Sequence, residues 1–237
     1  STGTLKRERE PGSNGLTFDA GGRLVICMHG DRMVARLERD GTLTVLAADY
    51  SNRRLNSPND LVFNSKGDLY FTDPPYGFEK LNDDPQKELM FNGVFLRRRD
   101  GDVVLLARDL AFPNGVALSP DERSLYVAVS DPARPVIMRY PLKADGTLEQ
   151  GVVFFDASML AGRKGLPDGI KVDIHGNVFA TGPGGVLVLS PEGKHLGTIQ
   201  TGDAIANCAW GDDGSTLYLT ASSLLCRIRT LTRGRMP

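Results

Sequence analysis

Apolar and polar residues alternate along this chain in short runs, and Gly- and Asp-rich turns separate the runs. Leu61-Val62-Phe63 reads as a strand, Asn64-Ser65-Lys66-Gly67 as a turn, and Asp68 to Asp73 as a second strand. Gly93 to Arg97 and Val103 to Leu106, joined by Arg99-Asp100-Gly101, complete a four-stranded unit. The same order recurs from Leu16, Val116, Ile170 and Cys208, so five units are recognisable. No segment carries a long helical period; Leu160 to Lys164 reads as one helical turn at most.

Each unit opens on a polar residue: Asn14, Asn59, Asn114, Asp168 and Asn207. The middle three follow proline, as Pro58-Asn59, Pro113-Asn114 and Pro167-Asp168. Four antiparallel strands recurring roughly every 40 to 50 residues predict the blades of a β-propeller, an all-β fold, with 1–237 as a single domain. Two packed sandwiches of this length do not explain why the polar residue recurs in phase. In a propeller the innermost strands line the channel. Polar heads at that phase form an oxygen-rich ring suited to a hard cation such as Ca²⁺ or Mg²⁺. Pro-Asn-Gly and Pro-Asp-Gly are also turn sequences in their own right, so a purely local role is the alternative.

Charge adds exclusions. The chain has 28 Lys and Arg against 29 Asp and Glu, a net charge of −1. That balance gives no reason to expect nucleic acid or an anionic membrane as a partner. The one basic cluster, Arg97-Arg98-Arg99, reads as a solvated strand end. Cys27, Cys208 and Cys226 lie in or beside apolar strands and predict small buried side chains rather than a disulfide framework. No apolar run approaches the roughly 18 residues of a membrane span, and no signal peptide opens the chain. A soluble protein is expected, cytoplasmic ahead of periplasmic, as a monomer or homodimer.

With these residues assembled, the chain resembles the gluconolactonase and regucalcin (senescence marker protein) family of six-bladed β-propellers, in its bacterial gluconolactonase style. The resemblance is carried by Asn56-Ser57-Pro58-Asn59-Asp60-Leu61, Tyr70-Phe71-Thr72-Asp73-Pro74-Pro75-Tyr76-Gly77, Phe112-Pro113-Asn114-Gly115-Val116-Ala117 and Leu166-Pro167-Asp168-Gly169-Ile170. It implies a lactonase that opens a gluconolactone-like sugar lactone. It also implies a divalent cation, Ca²⁺ first with Mg²⁺, Zn²⁺ and Mn²⁺ as alternatives, held by Asn114 and Asp168. Asn59 is then a substrate contact, and Asp73 helps orient water or substrate. The family's third ligand is a Glu in a Glu-Gly-Pro segment, which this chain lacks; Glu8 and Glu10 imitate it poorly. By position they lead into the unit headed by Asn14, which matches the family's second blade, so roughly one N-terminal blade is expected to be missing. Ser57 stands where animal members carry an Arg that contacts substrate.

The residues suggest further roles. Asp168 is the best-placed general base, Asn114 and Asp73 complete the catalytic set, and Asn14 and Asn59 can donate amide hydrogen bonds to sugar oxygens. His29 follows the second strand of its unit and Tyr76 sits in the Pro74-Pro75-Tyr76-Gly77 loop; both are candidate substrate contacts. Segment 76–92 reads either as a lid or as a surface excursion. Trp210 reads as blade packing, and His175 and His195 as solvated. No Gly-x-Ser-x-Gly elbow supports serine hydrolase chemistry. A related metal-dependent esterase or phosphotriesterase, or a non-catalytic propeller that binds a ligand, are the competing functions.

Overall fold

The computed structural model describes residues 12–160 and 162–235. Compact packing divides the chain into two units, with the boundary between Pro113 and Asn114. In the first unit, β1 (Ser13–Phe18), β2 (Leu24–Met28), β3 (Met33–Leu37) and β4 (Leu43–Ala47) form an antiparallel meander. A small hairpin follows, β5 (Asp49–Tyr50) and β6 (Arg53–Arg54), which the apolar pattern does not predict. Its turn residues Ser51 and Asn52 have φ of 54° and 60°, the left-handed pair that joins strands with matching twist. The second sheet runs β7 (Leu61–Phe63), β8 (Leu69–Asp73), β9 (Gly93–Arg97) and β10 (Val103–Ala107).

The second unit holds three more meanders. They are β11 (Pro113–Leu118), β12 (Ser124–Val129), β13 (Val136–Pro141) and β14 (Val152–Asp156); then β15 (Ile170–Val172), β16 (Val178–Gly182), β17 (Gly185–Leu189) and β18 (His195–Ile199). The last has three strands, β19 (Ile205–Gly211), β20 (Thr216–Ala221) and β21 (Leu224–Arg229). The fold is therefore all-β, built of five propeller-type blades as the repeat predicts. One turn of 3-10 helix falls at Ala157–Leu160, ahead of the expected 160–164, because the Asp156 carboxylate accepts the Ser158 amide and starts the turn there. Among the described residues no helix is long and apolar enough to cross a membrane.

The turns form for local reasons. Between first and second strands, Asp19, Asn64 and Asp173 each accept the amides two and four residues on, at 2.8 to 3.0 Å. The central strands β8 and β16 are buried along their whole length, so they read as apolar runs rather than strict alternation. In the first unit Val25, Val34, Leu55, Leu69, Phe71 and Phe95 form one core, with Phe71 and Phe95 stacked at 5.2 Å. In the second, one core gathers Ile137, Phe155, Ile170 and Leu187, and another Phe179, Trp210 and Leu217. Each fully buried side chain of this size contributes about 1.5–3 kcal/mol. Trp210 meets Phe179 edge-on at 5.0 Å, which makes it the blade packing expected of it. Cys27 and Cys208 are buried and Cys226 is half-buried, all three as free thiols.

The polar heads mark where one blade meets the next within each unit. Gly15 donates its amide to the Asn59 carbonyl at 2.7 Å, Gly115 to the Asp168 carbonyl at 3.1 Å, and Gly169 to the Ala206 carbonyl at 3.0 Å. The Asn-Gly and Asp-Gly pairs are thus not turns. Their glycines answer close backbone approach: a Cβ at Gly115 would lie 2.0 Å from the Asp168 carbonyl oxygen, and one at Gly169 2.0 Å from Asn207 Oδ1. Gly115→Ala and Gly169→Ala are each expected to lower unfolding free energy by about 1–3 kcal/mol in urea titrations. Gly197→Ala, where a Cβ meets nothing within 4 Å, is expected to stay within about 0.5 kcal/mol of wild type.

Candidate functional site

In the second unit the site is built on the start of β11 and the segment before β15. Asn114 is buried at the second position of β11, and the Gly115 bond to the Asp168 carbonyl sets its neighbour beside Asp168. Asn114 Nδ2 donates to Ser130 Oγ at 2.9 Å, and Ser130 Oγ donates in turn to the Pro167 carbonyl. Because the serine's single proton goes to Pro167, its oxygen can only accept from Asn114. That chain fixes which way the carboxamide faces: nitrogen toward Ser130, oxygen away from it. Asp168 is half-buried, with its amide on the Thr181 carbonyl at 3.2 Å.

Sequence reading passed over Ser130. The signal was present in the repeat. Ser130 follows the second strand of its blade, as His29 does in the first blade, and Asp73 ends that strand in the second. In the fifth blade Thr220, near the end of β20, stands at the corresponding place, its hydroxyl taking the Asn207 backbone amide at 2.9 Å.

The first unit carries a second polar cluster. Asn14 lies at a bulge, where Ser13 pairs with Met28 but Leu16 pairs with Ile26. Its Nδ2 lies 3.3 Å from His29 Nε2, within hydrogen-bonding distance. His29 is buried. Asn59 is buried too, its amide on the Thr72 carbonyl at 2.9 Å and its carbonyl taken by Gly15. Tyr76 is half-buried and stacks on Phe112, centroids 5.9 Å apart at 13°. Asp73, the third expected catalytic residue, is 0% exposed at the end of β8. Its carboxylate takes the amides of Asn56 at 2.7 Å and Ser57 at 2.8 Å.

Segment 76–92 is anchored along its length. Phe78 and Leu89 are buried. Arg32, itself buried, lies 5.0 Å over the Phe78 ring and donates to the carbonyls of Leu55 at 2.7 Å and Gln86 at 3.3 Å. It also pairs with Glu88 at 3.3 Å. Lys87 Nζ caps the carbonyls of Leu89 and Phe91.

Burial dominates the electrostatics. It pushes Asp73 up to about 7, against the lowering effect of the Asn56 and Ser57 amides and the charges of Arg32 and Lys87. Burial likewise lowers Lys87, with Asp73 opposing, and holds the Cys27 thiol well above its usual range, helped by the charges of Asp60 and Asp73. Cys27 is therefore an inert thiol.

Among the described residues no group of three or more His, Cys, Asp or Glu side chains gathers as a metal site. Glu8 and Glu10 lie outside the described residues. The two expected ligands lie on segments joined by the Gly115–Asp168 backbone bond, and both carry hard oxygen donors. They fit Ca²⁺ or Mg²⁺ in kind, with the remaining positions left to water or ligand.

Two outcomes follow from these contacts. Ser130→Ala strips Asn114 Nδ2 and the Pro167 carbonyl of a partner, and unfolding free energy should drop by about 1–2 kcal/mol in urea titrations. Asp73 has a native pKa above its unfolded value near 3.8. Its contribution to stability is therefore full below about pH 4 and lost as the pH rises through about 7. Urea midpoints measured from pH 4 to 8 should show this downward component, and Asp73→Asn should remove it.

The geometry can now be set beside known proteins. The chain is 40% identical to a gluconolactonase of Zymomonas mobilis over 236 residues, which is 95% of this chain and 65% of that protein. It is 30% identical over 186 residues to lactonase drp35 of Staphylococcus aureus, covering 75% of this chain and 53% of the relative. It thus spans less than two thirds of the length of either. A solved structure described as a gluconolactonase of Xanthomonas campestris superposes with a TM-score of 0.80 at 33% identity, over 94% of this chain and 72% of that one. The family description SMP-30/Gluconolactonase/LRE-like region matches residues 1–223, and the chain belongs to that family.

Proposed function

We propose that the protein is a cation-dependent lactonase that opens a sugar lactone of the gluconolactone type. The observation that supports this reading is the hydrogen-bond chain Asn114–Ser130–Pro167, which orients the Asn114 carboxamide, on a strand bonded through Gly115 to the Asp168 backbone. Membership of a family whose named relatives include gluconolactonase and lactonase supports the substrate class. Asn114 and Asp168 would hold the cation through oxygen, Ca²⁺ ahead of Mg²⁺, Zn²⁺ or Mn²⁺. Bound there, a divalent cation supplies Lewis acidity toward a carbonyl oxygen and lowers the pKa of water.

The chain's own groups supply the rest. An Asp168 oxygen accepts the proton of the attacking water as the new C–O bond forms at the lactone carbonyl. When the ring C–O bond breaks, that proton is returned to the departing ring oxygen, and the product is the open hydroxy acid. In the first unit, Asn59 and Asn14 carry carboxamides suited to donating to sugar oxygens, and Asn14 Nδ2 lies 3.3 Å from His29 Nε2. Tyr76, braced on Phe112, offers the same unit an aromatic face suited to a sugar. Asn114 is neutral, so it leaves most of the cation's charge for the substrate.

Gluconolactone hydrolysis followed by pH-stat is expected to be abolished by excess EDTA and restored by Ca²⁺. Asp168→Ala should reduce the rate by about 10²–10⁴-fold. Undiminished turnover in excess chelator overturns the cation requirement. Calcium binding without turnover of any lactone, ester or phosphotriester would identify a binding module instead.

A further inference from the structure

We infer that Asp73 is a positioning residue for the lactone-opening reaction proposed above, acting through the Asn56–Ser57 backbone to hold Asn59 and Tyr76 in register. The inference rests on that functional reading. Its ground is the set of bonds between two loop segments of the first unit. Asp73 Oδ2 takes the Asn56 amide at 2.7 Å and Oδ1 the Ser57 amide at 2.8 Å. Asn56 Nδ2 answers by donating to the Asp73 carbonyl at 3.1 Å. Ser57 Oγ donates to the Pro74 carbonyl at 2.6 Å and accepts the Gly77 amide at 2.9 Å. Segment 56–58 is thus sewn to segment 73–77. Asn59 leaves the first seam and Tyr76 lies inside the second.

A carboxylate is suited to this task and its isostere is not. Both oxygens face amide donors, so an Asn here accepts one amide and opposes the other with its own NH₂. Asp73, Asn56 and Ser57 are all 0% exposed, which places the carboxylate behind the loop rather than against a ligand. A buried charge without partners is costly. Arg32 and Lys87 bring positive charge toward Asp73, and Asp60 and Cys27 are the other titratable groups of its surroundings. Pro58, between the clamped amides and Asn59, restricts the chain further. A shift of about 1 Å in a substrate-orienting group costs on the order of 10²-fold in rate.

The test compares Asp73→Asn and Ser57→Ala with wild type. Three readouts are used: gluconolactone kinetics, Ca²⁺ affinity by calorimetry, and ¹⁵N–¹H spectra of the Asn59 side-chain amide and the Ser57 backbone amide. In Asp73→Asn, kcat/KM is expected to fall about 10- to 100-fold with Ca²⁺ affinity unchanged and both cross-peaks shifted. In Ser57→Ala the fall is smaller and the Asn59 cross-peak moves. Wild-type kcat/KM in both variants with an unmoved Asn59 cross-peak overturns the inference. If Asp73→Asn does not fold, Ser57→Ala decides by the same criteria. If wild type opens no lactone, the functional reading fails on its own, and the Asn59 cross-peak still reports whether Asp73 sets that residue.

Discussion

The structure depends on how closely successive blade heads approach within each unit. A glycine amide on one innermost strand reaches a carbonyl of the next head at about 3 Å, and no side chain fits between. That contact satisfies a backbone donor that the local strand pairing leaves over. It also sets the position of the residue just before the glycine, the polar head of the blade. Gly115 reaches the Asp168 carbonyl because it has no Cβ. The packing of the blades and the assembly of the second unit's polar pair are therefore one constraint.

Around that constraint the second strand of each blade supplies the support. His29, Ser130 and Thr220 each hydrogen-bond the head opposite them, and Thr72 takes the Asn59 amide through its carbonyl and the Asp60 amide through its hydroxyl. The partner's chemistry decides what the head can present. A serine whose proton is spent on Pro167 compels the Asn114 amide to face it with nitrogen. Small side chains with few degrees of freedom do this with little ordering cost.

Two aspartates show how environment assigns roles to one residue type. Asp168 is half-buried, with its amide on the Thr181 carbonyl and its carbonyl taken by Gly115. Asp73 is sealed from solvent, and both its oxygens are spent on amides. Burial raises its pKa, and the clamp exists only in its ionised form, so the clamp and the stability of the fold respond to pH in opposite directions. The same separation of carboxylates by environment underlies acid–base assignments in enzymes generally.

The sequence by itself determined the strand pattern, the turns and the phase of the polar heads, because these rest on period-two alternation and on Asx side chains that bond their own neighbours. The phase together with the family motifs also singled out Asn114 and Asp168 as the proposed cation ligands. The hairpin at 49–54, the anchoring of segment 76–92 by Arg32, and the part of Ser130 were not, because each depends on a partner distant in sequence. Gly115 and Gly169 carry the same lesson. Their dipeptides read locally as turns, yet both continue extended backbone whose glycine is required by a carbonyl or side chain 38 or more residues away, a reason that exists only once the blades are packed.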